Sequence, residues 1–242
     1  MERPSRSRVT AITALVIVAL VGSIVAGIGR RVHHASDLVL LPPSGQLTIS
    51  VRAADITVAG GASNDASVES RETWTGSARP ARAVTVGSTL LLRGGCPGSH
   101  HLHLWSFGAR CSLSYLVRTP RGRATRIVAR VGDTTLTNLT GPLTATMQAG
   151  DLHATGIGSS RVTVRLGLGD AHIAFDRPPV SLGVTVDVGD AHVVLPAGRY
   201  AIDAHSSFGD VQIGHGIVED PSSSRRIVVT STVGDVHVDA SG

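Results

Sequence analysis

One dipeptide recurs along the second half of the chain, with the same disturbance around every copy. Gly132-Asp133, Gly150-Asp151, Gly169-Asp170, Gly189-Asp190, Gly209-Asp210 and Gly234-Asp235 follow one another at intervals of 18, 19, 20, 20 and 25 residues. A period of this size marks a stacked-repeat architecture before any other. Before the copy at 189, Val184, Val186 and Val188 alternate with polar residues, as on a half-buried strand. After it the apolar positions are Ala191, Val193 and Leu195. The step from Val188 to Ala191 is three residues, so the alternation slips by one. A straight strand would throw one apolar set into water, so the chain is expected to bend at Gly-Asp and keep both sets inside. The slip recurs at Leu168–Ala171, Phe208–Val211, Val233–Val236 and Ala149–Leu152.

Gly accepts backbone angles that a corner demands. Asp can hold a turn by bonding a backbone N–H two residues on. The Asp column has a calcium reading too, but repeat-type calcium loops carry several Gly and Asp per turn at other spacings. An earlier copy reads Ile49, Val51 and Ala53, then Ala54-Asp55, then Ile56 and Val58. Each repeat then forms roughly one turn of a single-stranded β-solenoid, with rungs about 4.8 Å apart. The alternative all-β fold is an antiparallel β-sandwich; the regular slip at one dipeptide favours the solenoid. Strands are also expected at 83–92 and 112–118, and no helix after residue 31.

The N-terminal region is of another kind. Val9–Gly29 carries no charge over 21 residues, enough for a helix to cross a hydrocarbon core of about 30 Å. Arg3, Arg6 and Arg8 precede it, which favours a cytoplasmic N-terminus. The expected organisation is a cytoplasmic segment 1–8, a transmembrane helix 9–29 (or a signal peptide), a linker 30–45 and an extracytoplasmic β-repeat domain 46–242. The pI near 10 is misleading. Residues 1–31 hold five of the 22 Arg and one of the 18 acids, so the remainder balances at 17 against 17. No nucleic-acid partner is expected.

Cys96 and Cys111 bound a loop, 96–111. In an exported domain an even cysteine count reads as a disulfide. A closed loop of this length stabilises by roughly 3 kcal/mol in the chain-entropy model. Inside it stand His100, His101 and His103, and also Trp105 and Phe107. Exposed aromatics are frequent binding anchors, and the chain has only seven Phe, Trp and Tyr. The structural alternative is that these two cover the repeat.

His153, His172, His192 and His237 each stand two residues after a corner Asp, while Gln212 interrupts the series and Thr135 begins it. The side chains should line the solvent face about 4.8 Å apart. A solvated polar ladder is the expectation. Metal binding by His172 and His192, or by the cluster at 100–103, is the outside alternative, with no cofactor otherwise implied. No G-x-S-x-G, H-E-x-x-H or phosphate loop is present, and aromatic platforms for a polysaccharide are scarce, so no enzyme is expected.

The final repeat, Val233–Val238, would expose strand edges if it ended the stack. Three answers are open: the chain doubles back to place it inside, the Cys-bounded segment covers it, or another protein pairs with it.

The stretches "LPAGRYAIDAHSSFGDVQI", "EDPSSSRRIVVTSTVGDVHV" and "CSLSYLVRTPRG" resemble the bacterial putative-adhesin family of β-strand-repeat proteins. It is a domain of unknown function related to the head-GIN adhesin-like domain. The resemblance runs from about Gln46 to Ala240. It implies a repetitive β-domain outside the membrane and carries over no catalytic residue. The chain departs from the family pattern in its His after the corner and in Ala54. The expected function is an anchored, adhesin-like binding or scaffold module. Its partner would be a protein or the cell envelope. The alternative is an accessory or sensor protein of an envelope-stress system.

Overall fold

The computed structural model describes residues 32–41, 45–64, 66–75, 81–85, 90–95 and 111–241. All regular structure in them is strand. In chain order these are β1 (Val32–Leu41), β2 (Leu47–Ala53), β3 (Asp55–Gly61), β4 (Ala66–Thr75), β5 (Ala81–Thr85), β6 (Leu90–Gly95) and β7 (Cys111–Pro120). Next come β8 (Thr125–Val131), β9 (Thr134–Thr137), β10 (Leu143–Ala149), β11 (Leu152–Ile157), β12 (Arg161–Leu168) and β13 (Ala171–Phe175). The last are β14 (Ser181–Val188), β15 (Ala191–Pro196), β16 (Gly198–Phe208), β17 (Val211–Ile213), β18 (Ile217–Glu219), β19 (Arg226–Val233) and β20 (Val236–Ser241).

Two ten-stranded sheets result. The first runs β1-β4-β7-β3-β9-β11-β13-β15-β20-β17, the second β18-β16-β19-β14-β12-β10-β8-β2-β6-β5. A Gly-Asp or Ala-Asp corner joins the two sheets in seven rungs: β2–β3, β8–β9, β10–β11, β12–β13, β14–β15, β16–β17 and β19–β20. Neighbouring rungs pair in parallel, residue on equivalent residue, as in Val164↔Val184 and Val184↔Val229. This is the solenoid-like arrangement, and the parallel ladders overturn the antiparallel sandwich. Antiparallel pairing is confined to β1–β4, β4–β7 and β5–β6.

The interior is a pile of aliphatic layers. Ile49, Ile127, Ile173, Val186, Ala191, Val193, Ile227 and Val236 are all fully buried. Parallel strands covered on one face only can still alternate inward-apolar and outward-polar, and these do.

The corner departs from the expected one in three ways. First, the bend begins earlier. Val186 is the last inward residue, while Val188 is 44% exposed; the register skips from Val186↔Ser231 to Val188↔Val233. The slip therefore keeps Ala191 inside and leaves Val188 out. Second, each Asp holds the neighbouring rung instead of its own turn. The Asp170 carboxylate accepts from the Asp190 backbone N–H at 2.8 Å, and the Asp190 carboxylate from Asp235 N–H at 2.7 Å. Third, the six corner glycines are fixed twice. Their φ values lie between 119° and 155°. A Cβ on Gly189 would also fall on the carbonyl oxygen of Gly169 in the next rung.

Three further expectations change. Within the segment read as a linker, Val32–Leu41 forms β1, pairing along its whole length with β4. The strand expected at 83–92 divides into β5 and β6, which pair with each other antiparallel. The last repeat does not end the stack: β19–β20 lies between β14–β15 and β16–β17 in both sheets. The chain doubles back, which decides among the three answers and removes Val236 as an exposed edge. Residues 9–29 and 96–110 lie outside the described residues; among those described, no helix is long and apolar enough to cross a membrane.

Gly189→Val should destabilise the domain by at least about 1–3 kcal/mol, the range for a strained backbone. Gly183, in β14, meets nothing within 4 Å at its Cβ position. Gly183→Ala should leave the thermal melting midpoint unchanged or raise it slightly. Melting curves of the two variants check both expectations.

Candidate functional site

Because every rung turns the same corner, each outward position there becomes a straight row of equivalent side chains. Three rows run side by side along one edge of the stack.

The first row is apolar. It comprises Ala53, Val131, Ala149, Leu168, Val188, Val233 and Phe208, each paired laterally with the next. Val131 is 56% exposed, Leu168 55%, Val233 45% and Phe208 73%. The sequence places these residues inside, since they continue the two-residue alternation. Only the bulge before the glycine turns them out, and no residue type announces it.

The second row is acidic: Asp55, Asp133, Asp151, Asp170, Asp190, Asp235 and Asp210, in spatial order. Each but Asp210, the last, accepts a hydrogen bond from the backbone N–H of the next Asp, at 2.7–3.1 Å. These bonds offset the repulsion of like charges set one rung apart. The row is first a structural clamp, and all the sequence-identified corners take part in it.

The third row lies two residues further on, on the outer face of the first sheet. Thr135, His153, His172, His192, His237 and Gln212 follow one another across β9, β11, β13, β15, β20 and β17. In chain order Gln212 interrupts the histidines. In space the insertion of β20 makes the four histidines contiguous, and Gln212 terminates them. Ring centroids are 4.9 Å apart for His153–His172, stacked, and 4.8 Å for His172–His192, edge-on. His192–His237 is wider, at 6.1 Å.

His192 Nε2 lies 2.9 Å from Asp239 Oδ2, and its Nδ1 lies 3.2 Å from His172 Nδ1. A carboxylate at Nε2 requires the proton there. When His192 is neutral its Nδ1 is then the acceptor and His172 Nδ1–H the donor, and in that state the relay sets His172 as the Nδ1–H tautomer. Burial pushes the His172 pKa below the usual range, and the neighbouring His192 and His153 push it the same way. Among the described residues no group of three or more His, Cys, Asp or Glu converges on a point that could hold a metal. Successive imidazoles stand one rung apart along the row instead.

Of the other expected residues, Cys111 opens β7, antiparallel to Trp74 of β4. Cys96, His100, His101, His103, Trp105 and Phe107 lie outside the described residues. The sequence reading did not single out Trp74, whose ring stacks on His33 of β1 at 5.2 Å. A shallow groove of about 420 Å³ opens on the outer face of the second sheet, where Gly167 supplies no side chain between Arg165 and Asp187.

Residues 123–242 match a family model described as Toastrack DUF4097. The second half of this chain matches the Toastrack family. That segment begins beside β8 and holds six of the seven corners, so the expected resemblance to bacterial putative-adhesin β-repeat proteins is borne out there. No curated protein matches the chain. Among solved structures, a putative cell adhesion protein from Clostridium sporogenes is 12% identical, covering 86% of this chain and 100% of its own, with a TM-score of 0.45. A putative adhesin from Bacteroides fragilis is 11% identical, covering 86% and 97%, with a TM-score of 0.41. At these values the likeness says nothing of a ligand.

His172 makes stability depend on pH. A His whose folded pKa lies below its unfolded value binds its proton more readily when unfolded. Stability is then full above the unfolded value, near 6.5, and falls as pH drops through it toward the folded value. The groups facing His172 are His153 and His192, with Asp239 beyond His192. Thermal melting followed between pH 7.5 and 5 should show a falling midpoint, and His172→Gln should flatten that fall.

Proposed function

We propose that this chain is an adhesin-like, non-catalytic binding or scaffold module, held in a bacterial membrane by helix 9–29 and displaying residues 46–242 outside the cell. In this reading residues 1–8 are cytoplasmic and a Cys96–Cys111 disulfide closes the loop that leaves the stack. The partner is a protein or another component of the cell envelope.

One observation carries the reading: the exposed apolar row Val131–Leu168–Val188–Val233–Phe208. Among the described residues the other exposed large aliphatic side chains, Leu38, Leu40, Val180, Val211 and Val218, form no row that runs from rung to rung, so this row stands apart. A contiguous apolar strip bordered by charge is the usual form of an interaction surface on a soluble domain. Its length is about 24 Å, roughly five rung spacings with Ala149 between Val131 and Leu168. The flanking carboxylates keep such a strip solvated until a partner covers it.

The test uses the intact chain and purified fragments of its own cell envelope. Leu168→Glu, Val188→Glu and Val233→Glu together replace outward side chains and should leave the circular dichroism spectrum unchanged. Co-sedimentation with envelope fragments should fall at least tenfold, about 1.4 kcal/mol. Undiminished binding by the folded triple variant removes the row from the reading. Recovery of a membrane sensor protein in place of envelope material moves the reading to the envelope-stress alternative.

The disulfide has its own test. Peptide mass spectrometry of the unreduced exported protein should recover Cys96 and Cys111 linked. Free alkylation of both in the folded protein overturns the link and the oxidising compartment it implies.

A further inference from the structure

The two ends of the stack are built differently. At the end formed by β1, β4 and β7, the inward residues Ala66, Val68, Leu113 and Tyr115 are between 1% and 4% exposed. At the other end the outermost rung is β16–β17. Its inward row contains Ile202, Ala204 and Ser206 on β16 and Val211 and Ile213 on β17, all half-buried or exposed. The equivalent residues one rung in, Ile227, Val229, Ser231, Val236 and Val238, are at most 2% exposed. Among the described residues the core is therefore uncovered at this end.

The backbone is uncovered as well. β18 pairs with Gly198–Tyr200 only, and Ala201–Phe208 has β19 on one side and, among the described residues, no strand on the other. Ala201 N–H donates to Arg225 O on the β19 side. Alternation then turns the N–H and C=O of Ile202, Ala204 and Ser206 outward. Asp210 ends the carboxylate ladder: its own N–H bonds Asp235, and no further rung supplies a donor to its carboxylate.

We propose that this end is a self-association interface, closed by the same end of a second copy of the chain. Only another rung matches the outline of an open rung, with two sheet edges at the same separation and an aliphatic layer between them. A twofold axis normal to the sheets sets β16 against its copy antiparallel, a self-complementary arrangement. The outward backbone groups fix the register. Ala204 faces Ala204 of the copy as a hydrogen-bonded pair, and Ile202 faces Ser206. Asp203 then lies directly opposite His205 in both halves of the interface. Asp203 and His205 are exposed in the single chain, and in this register each carboxylate meets an imidazole across the seam. The opposite end presents the antiparallel pairs β1–β4 and β5–β6 and so does not repeat the outline of the open rung, and a twofold contact closes assembly at two copies.

Sedimentation of the full chain in detergent tests this. The wild type should sediment with the mass of two chains. Ala204→Pro removes an N–H that no strand of the monomer uses and should give a single-chain mass with an unchanged circular dichroism spectrum. Asp203→Arg should also give the single chain. The double variant D203R/H205D should restore the pair, because it sets a guanidinium opposite a carboxylate across the seam with the two charges exchanged. That rescue is the readout that stands if the Pro variant fails to fold. A wild type of single-chain mass, a folded Ala204→Pro variant that remains double, or a failed rescue overturns the proposal.

Discussion

The structure depends on a contact between backbones. At six of the seven corners a glycine lies against the carbonyl of the corner residue in the next rung, Ala54 for Gly132 and a glycine for the others, with no room for a Cβ between them. Solenoid rungs must stack at the strand spacing everywhere, including where the chain turns. A turn normally bulges, and a bulge would hold the rungs apart. Gly-Asp removes the side chain at the point of approach, and the carboxylate then bonds the next rung's N–H. The parallel sheets on both sides inherit their register from that point. The inward layers of Val, Ile, Leu and Ala do so too, as do the outward rows.

Those outward rows are what the fold offers to chemistry. A solenoid cannot easily converge side chains on one point, because each position repeats along the axis instead of closing around a cavity. It can present a line. Here the line is triple: apolar and carboxylate side chains once per rung, and imidazoles in four successive rungs. The imidazole relay from His172 through His192 to Asp239 shows the limit of local specialisation, since it needs one residue, Asp239, that breaks the row's repetition.

Much of this was legible in the sequence, and for one reason. The repeat is encoded in residues whose physical roles are narrow. Gly at a corner, Asp beside it and aliphatic alternation on both sides leave few alternatives, so the solenoid, the rungs and the histidine column could be read. The position of Val188 could not. Its place in the alternation is the same whether the bend starts before it or after it, and only the ladder decides. The spatial order of the last two rungs was also hidden. Val229 and Ala204 fall in the same inward layer, so residue type does not tell which of β19 and β16 lies beside β14. The β1–β4 pairing was invisible because β4 turns Ser70 and Glu72 inward along with Ala66 and Val68, which breaks the apolar alternation.

The displaced order of the last rungs bears on how the molecule assembles. A solenoid built strictly in sequence can lengthen as the chain emerges, each rung templating the next. Here β16–β17 is synthesised before β19–β20 yet lies outside it. The rung made earlier must wait, undocked or docked provisionally on β14–β15, until a later segment takes the place between them. One slot in the stack is therefore contested by two segments of the same chain. β19 holds the slot, pairing with β14 from Arg226 to Val233 and with β16 on its other side.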